Sequence, residues 1–193
     1  IVGRSGIGKT TLAATIMGLI PPLAGTVTTT GRVRYLAQNA HVFATSISEN
    51  VRIGCKEATE SEVLAALDRA GLSMPPGRVI AEDGGTLSGG EAQRLALARV
   101  VVSHDATVDP AAHDLLILDE PTEGIQPSVI KEIGVVIKKL AARGDMAILL
   151  VEQFYDFAAE LADQYLVMSR GEIVQQGRGE TMEADGVRGL VAI

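Results

Sequence analysis

A glycine-rich segment near the start of the sequence has the residue types of a phosphate-binding loop. It matches G-x-x-x-x-G-K-T and comprises Gly3, Arg4, Ser5, Gly6, Ile7, Gly8, Lys9, Thr10 and Thr11. Glycines let the chain curl so that backbone N–H groups face an anion. The Lys9 ammonium suits the β- and γ-phosphates, and the Thr10 hydroxyl suits Mg²⁺. The segment predicts a site for a phosphorylated nucleotide; a glycine turn that matches by chance is the alternative.

Two adjacent acids, Asp119 and Glu120, follow the apolar run 115–118. An apolar strand that ends in aspartate is the Mg²⁺-holding partner of a phosphate-binding loop. Asp119 is therefore a second predicted metal ligand. Glu120 could polarise an attacking water as a general base. The alternative is a pair of exposed acids at the end of a strand.

A second candidate anion site precedes a predicted helix over 93–102. Ser88, Gly89, Gly90 and Glu91 place a hydroxyl and free backbone N–H groups at the start of that helix. Taken alone, an ordinary serine cap in a glycine turn is the better interpretation. Gln38 is a further candidate because it ends the predicted strand 32–37, where α/β folds place ligand-facing residues.

The elements that must position these residues alternate along the chain. Strands are predicted over 27–30, 32–37, 114–118, 146–151, 164–169 and 173–177. Helices are predicted over 9–18, 46–52, 61–70, 93–102, 156–162 and from Pro127 onward. This order predicts an α/β fold with a mostly parallel sheet flanked by helices. A small helical lobe is expected at about 46–86, within a single domain spanning 1–193, and residues 103–113 are expected to form a loop.

Composition excludes several classes of protein. The 193 residues carry a net charge of −7 and a single cysteine, and 47% of them are apolar. The acidic balance argues against a nucleic-acid partner. One cysteine supports neither a disulfide framework nor a thiolate metal site. No apolar run approaches the ~18 residues that span a bilayer.

Taken in order, the glycine-rich loop, Gln38, the run 87–91 and the run 118–122 resemble the ATP-binding subunit of ABC transporters. The resemblance implies the fold of a P-loop NTPase that binds ATP and Mg²⁺. It makes residues 3–11 the Walker A loop, and Gln38 the Q-loop glutamine that contacts Mg²⁺ and the attacking water. Residues 88–90 become the signature that binds the γ-phosphate held by another protomer. Asp119 becomes the Walker B aspartate and Glu120 the catalytic glutamate, acting with Lys9.

The same resemblance implies partners and a location. A second ATP-binding subunit, identical or different, would complete two ATP sites, and ATP-driven closure would drive solute transport through separate membrane subunits. The chain would lie peripherally on the cytoplasmic face of the plasma membrane. Gln153 stands where most members have the switch histidine that contacts the γ-phosphate, so it is a third candidate catalytic residue. The alternative is a nucleotide-binding fragment or chimera with little or no hydrolysis.

The two parts of the sequence resemble different subfamilies. Up to about residue 102, the chain resembles exporter-type domains, especially cysteine/glutathione exporters, through 35–39, 43–51 and Glu82. From about residue 118 it resembles urea and branched-chain amino-acid importers, through 119–127 and 150–153. These patterns lead to the hypothesis of a chimera, and to the expectation that strands before the loop are missing.

Overall fold

A computed structural model describes residues 1–38, 41–81, 87–102 and 114–191. The strands are β1 (Val33–Leu36), β2 (Asp114–Asp119), β3 (Met146–Val151), β4 (Gln164–Ser169) and β5 (Glu172–Arg178). The helices are α1 (Lys9–Ile16), α2 (Ile47–Arg52), α3 (Glu60–Arg69), α4 (Gly89–Val101), α5 (Pro127–Ala141), α6 (Tyr155–Leu161) and α7 (Val187–Val191).

The central sheet is parallel, with strand order β1-β2-β3. Tyr35 pairs with Ile117, and Asp119 pairs with Val151 at the end of the neighbouring strand. The α/β fold and its parallel sheet are thus confirmed. Parallel strands bring their carboxyl ends to one edge, so Gln38, the acidic pair and Glu152 follow the strands at the same edge.

Both faces of the central sheet are covered, which explains the continuous apolar run of β2. Leu116 and Leu118 belong to the main core with α2 to α5. Ile117 is fully buried in a smaller cluster on the other face, with Ala13 of α1 and the partly buried Tyr35. Side chains alternate along a strand. Asp119, two residues after Ile117, therefore lies on the face that carries α1.

A second, antiparallel unit is the hairpin β4–β5, and residues 1–3 join it to the central sheet. Val2 makes parallel bridges to both Glu152 and Val167. The Val2 N–H donates to the Leu166 carbonyl, and the Val2 carbonyl accepts from the Met168 N–H, both at 2.8 Å. The backbone that leads into the glycine-rich loop therefore spans two sheets.

Away from that junction, β3 and β4 separate around a cleft of about 860 Å³. Residues 146–150 of β3 form one wall and residues 164–166 of β4 form the other. Ile137 of α5 and Leu161 of α6 also line the cleft. The separation leaves the hairpin with its own small core, in which Tyr165, Met182 and Val187 are almost fully buried.

Three local predictions were wrong, and one helix was missed. Residues 27–30 form no strand and are exposed. Helix α4 begins at Gly89 rather than at residue 93, because the Ser88 side chain caps it there. The predicted helix over 9–18 ends at Ile16, and α7 was not predicted at all.

The expected loop 103–113, Glu82 and the end of the expected lobe at 82–86 lie outside the described residues. No helix in the described part of the chain has the length and apolar character to cross a bilayer.

Candidate nucleotide-binding site

The glycines of the loop occupy backbone positions that other residues disfavour. Gly6 and Gly8 have φ values of 76° and 99°, in the left-handed region. Gly8 is also the N-cap of α1, which has no side-chain cap. A Cβ on Gly3 would collide with the Met168 carbonyl and the Ile7 side chain. The loop is therefore held tightly against β4 while the N-terminal end of α1 has no capping side chain, an arrangement that favours an anion there.

Lys9 is buried at the centre of this loop. Its Nζ lies 3.0 Å from Glu120 Oε1, and only 2% and 8% of the two side chains are exposed. The same ammonium donates to the carbonyls of Gly3 and Arg4, each at 2.9 Å. The lysine is thus satisfied entirely by the protein. A phosphate that reaches Lys9 must compete with Glu120.

Glu120 has an unusual backbone conformation, with φ of 44°. Its N–H donates to the Val151 carbonyl at 2.8 Å, which continues the β2–β3 ladder by one bond. A non-glycine residue in the left-handed region costs of order 1–3 kcal/mol and persists where surrounding contacts enforce it. The turn directs the Glu120 carboxylate to Lys9 at the end of β2.

Asp119 has one oxygen that is bound and one that is not. Asp119 Oδ2 accepts a hydrogen bond from the Tyr35 hydroxyl at 2.7 Å. Asp119 Oδ1 is buried and has no hydrogen-bond partner in the described part of the chain. Burial and the Asp119 carboxylate both raise the pKa of Tyr35, so its hydroxyl stays a donor. An unpartnered buried carboxylate oxygen is a fitting ligand for Mg²⁺, which takes one or two carboxylates together with nucleotide phosphates.

Gln38 is tied to the loop that follows the acidic pair. Its Nε2 donates to Glu123 Oε2. The neighbouring Glu120 carboxylate, to which a protonated Glu123 can hydrogen-bond, raises the pKa of Glu123. Gln38, Glu123, Glu120 and Lys9 therefore form a connected polar series. Sequence reasoning identified Gln38, Glu120 and Lys9, but it missed Glu123 and Tyr35, whose partners depend on the strand register.

A second buried acid lies at the end of β3. Glu152 is 1% exposed and accepts from the Thr122 hydroxyl at 2.7 Å and from the backbone N–H groups of Gln153 and Phe154. Burial raises the pKa of Glu152. The side chain of Gln153, the candidate catalytic residue, is exposed. Its predicted contact with the γ-phosphate stays a prediction.

The residues of the second anion site serve as the start of α4. The Ser88 hydroxyl accepts from the Glu91 N–H, and the Glu91 carboxylate accepts from the Ser88 N–H and hydroxyl at 2.7 and 2.8 Å. The Ser88 bonds lower the pKa of Glu91. Gly90 lies against Val129 of α5, where a Cβ would collide. Within the described residues, no hydrogen bond joins 88–91 to the glycine-rich loop, whose Arg4, Ser5, Thr10 and Thr11 are exposed.

Comparisons with known proteins place these features in one family. The family profile described as "ABC transporter" matches residues 1–123. The glutathione/L-cysteine transport system ATP-binding/permease protein CydD of Bacillus subtilis (strain 168) is 31% identical over 97% of this chain and 34% of its own length. A bacterial Atm1-family ABC exporter with ATP bound has a TM-score of 0.76 at 26% identity, over 99% of this chain and 35% of that one. A putative metal-chelate type ABC transporter in an inward-facing conformation has a TM-score of 0.81 at 20% identity, over 98% of this chain and 76% of that one, which shows the fold alone.

These matches correct one expectation. Urea or branched-chain amino-acid transport is not supported, because the exporter-type matches extend through the second half of the chain. The hypothesis of a chimera stays unconfirmed. The chain spans about a third of the length of the curated relative it matches. Since the family profile covers well over half of the sequence, the chain belongs to the ABC transporter family, as an ATP-binding domain.

Proposed function

We propose that this chain binds and hydrolyses ATP with Mg²⁺ as the motor domain of an exporter-type ABC system. The observation that carries the proposal is the buried 3.0 Å contact between Lys9 Nζ and Glu120 Oε1 at the glycine-rich loop. It brings the predicted phosphate ligand and the predicted general base to one point. The adjoining residue is Asp119, whose Oδ1 has no hydrogen-bond partner among the described residues.

Each residue has a role that follows from its chemistry. The first turn of α1 and Lys9 bind the phosphates, and the Thr10 hydroxyl and Asp119 hold Mg²⁺ together with Gln38. Mg²⁺, when bound, neutralises charge on the β- and γ-phosphates. Once a phosphate has replaced Glu120 as the anion in contact with Lys9, the Glu120 carboxylate is free to accept a proton from the attacking water. Exchange of Lys9 between Glu120 and phosphate thus releases the base when substrate arrives.

The separation of 88–91 from the glycine-rich loop favours a site that is completed by a second copy or a similar chain. Ser88 and Gly89 are exposed at the start of α4, where a helix N-terminus attracts an anion. We propose that they bind the γ-phosphate held by the partner, and that Gln153 contributes from the exposed end of β3. In this proposal residues 1–193 form a single domain, with helices α2 and α3 in a lobe at 46–86. Its partners are a second ATP-binding subunit and membrane-spanning subunits, at the cytoplasmic face of the membrane.

The test is a measurement of nucleotide binding and phosphate release by the purified chain and two variants. Glu120→Gln is expected to bind MgATP and to release no phosphate, since an amide cannot accept the proton. Glu172→Gln, an exposed acid at the start of β5, is the matched control and should behave as the wild type. If Glu120→Gln releases phosphate at the wild-type rate, Glu120 is not the base.

The second candidate function is a nucleotide-binding module without hydrolysis. The observation that favours it is the same Lys9–Glu120 pair, because a Glu120 that stays paired with Lys9 after nucleotide binds is not free to accept a proton. Binding of MgATP without phosphate release by the wild type would select this alternative. No binding at all would refute both.

A further inference from the structure

Tyr35 belongs to β1, whereas Asp119 ends β2, and the parallel register determines that they meet. Tyr35 pairs with Ile117, and Asp119 lies two residues further on the same face. The Tyr35 ring packs beside Ala13, Ile117 and Val151, so its hydroxyl reaches along the strand to the Asp119 carboxylate. The hydroxyl therefore has a defined position, set by a packed ring.

The two oxygens of Asp119 are unequal as a result. Oδ2 accepts the Tyr35 hydrogen bond at 2.7 Å, and Asp119 as a whole is 1% exposed. Oδ1 is buried without a partner among the described residues. Leaving a buried charged acceptor unsatisfied costs free energy, which a cation would recover. One hydrogen bond to a ligating carboxylate fixes its orientation.

We propose that Tyr35 is a positioning residue for the metal, because its hydroxyl holds Asp119 so that Oδ1 is available to Mg²⁺. The inference rests on the proposed function. Tyr35 itself does not contact the metal or the nucleotide in this proposal. Removal of the Tyr35 hydroxyl should weaken the binding of Mg²⁺ and leave the phosphate contacts of Lys9 and α1 intact. A role in packing alone would instead lower stability and change metal and nucleotide binding together.

Tyr35→Phe is the test variant, because it removes the hydroxyl and keeps the ring. Tyr165→Phe is the matched control: the Tyr165 hydroxyl also donates to an aspartate, Asp185, at 2.6 Å, but in the hairpin unit. The binding of a fluorescent ATP analogue is measured without metal and then during titration with Mg²⁺. Mn²⁺ is titrated in parallel and followed by electron paramagnetic resonance, which reports the metal without any turnover.

The expected result is that Tyr35→Phe binds metal-free nucleotide as the wild type does. Its half-saturating Mg²⁺ and Mn²⁺ concentrations should rise by about tenfold or more, the usual effect of losing a partner of a metal ligand. Tyr165→Phe should leave both concentrations unchanged. In an Asp119→Asn background, Tyr35→Phe should have no further effect on the metal, because the two residues act through one contact.

Two results would overturn this inference and leave the proposed function standing. One is a half-saturating metal concentration in Tyr35→Phe that equals that of the wild type. The other is a loss of nucleotide affinity in Tyr35→Phe that is the same with and without metal. A thermal unfolding scan of each variant shows whether the second result arises simply because the variant is not folded. A wild-type chain that binds no nucleotide overturns the proposed function, and the inference with it.

Discussion

The buried pair of Lys9 and Glu120 should behave as one energetic unit. Without nucleotide, Glu120→Gln leaves the Lys9 ammonium buried with only the Gly3 and Arg4 carbonyls. Lys9→Met leaves the Glu120 carboxylate without its cation. Each single change should therefore destabilise the chain. The double variant should lose much less than the sum, because it removes both charges.

The magnitude follows from the 3.0 Å distance between the charged atoms. Two unit charges at that separation attract by about 5.5 kcal/mol at an effective dielectric constant near 20. Desolvation offsets part of this attraction. Removal of one partner from a buried pair typically costs about 3–5 kcal/mol. We expect each single variant to lose about 3 kcal/mol of unfolding free energy, and a coupling energy of about 2–3 kcal/mol.

The assay is urea unfolding at neutral pH without nucleotide, for the wild type, both single variants and the double variant. The matched control is the exposed pair of Lys138 and Glu160, whose charged atoms are 2.7 Å apart and whose side chains are 51% and 67% exposed. Its coupling should be below about 1 kcal/mol, as for other exposed pairs.

A further arm adds MgATP. A phosphate replaces Glu120 as the anion of Lys9, so MgATP should stabilise Glu120→Gln more than it stabilises the wild type. If the single changes at Lys9 and Glu120 prove additive, the pair is not coupled in solution. Equal stabilisation of wild type and Glu120→Gln by MgATP would show that phosphate does not compete with Glu120 for Lys9.

Two further predictions concern the second anion site and the buried acid of β3. Ser88→Ala and Thr59→Ala each remove a capping box, so each should lose about 1 kcal/mol of unfolding free energy. Only Ser88→Ala should also lower the rate of phosphate release, and an equal loss of rate in Thr59→Ala would refute a role of Ser88 beyond capping. Burial raises the pKa of Glu152 above its ordinary 4.5, so the folded chain holds this proton more tightly than the unfolded chain. Its contribution to stability is therefore lost as the pH rises from 4.5 through the raised pKa. In urea unfolding, the stability of the wild type relative to Glu152→Gln should fall across that pH range. If the stabilities of wild type and Glu152→Gln change in parallel with pH, the pKa of Glu152 is not raised.

The local parts of the site could be predicted from sequence because they depend on short-range chemistry. The glycines of the loop, the serine cap considered at Ser88 and the apolar run of β2 each leave a pattern within ten residues. Strand β3 was predicted with its observed bounds. The alternation of strands and helices then specified a parallel sheet.

The rest depends on tertiary structure. Tyr35 looked like one more apolar position of a strand, since its partner Asp119 is adjacent only through the register of β1 and β2. Glu123 is exposed and sits in a turn, so nothing local linked it to Gln38. Residues 27–30 have β-branched side chains but pair with no strand in the described part of the chain, and such propensity alone does not form a sheet. Helix α7 is only five residues long and is held by packing of Val187 and Val191 against the hairpin unit.

The junction at residues 1–3 links the site to the cooperativity of the fold. In the described residues, Val2 carries the backbone pairing between the central sheet and the hairpin unit, while the cleft separates them elsewhere. The glycine-rich loop starts at the next residue, so local opening of the hairpin must pull on the loop. A nucleotide that orders the loop should therefore also stabilise the pairing between the central sheet and the hairpin unit. Amide hydrogen exchange in β4 would then slow on nucleotide binding, although β4 contributes no predicted ligand.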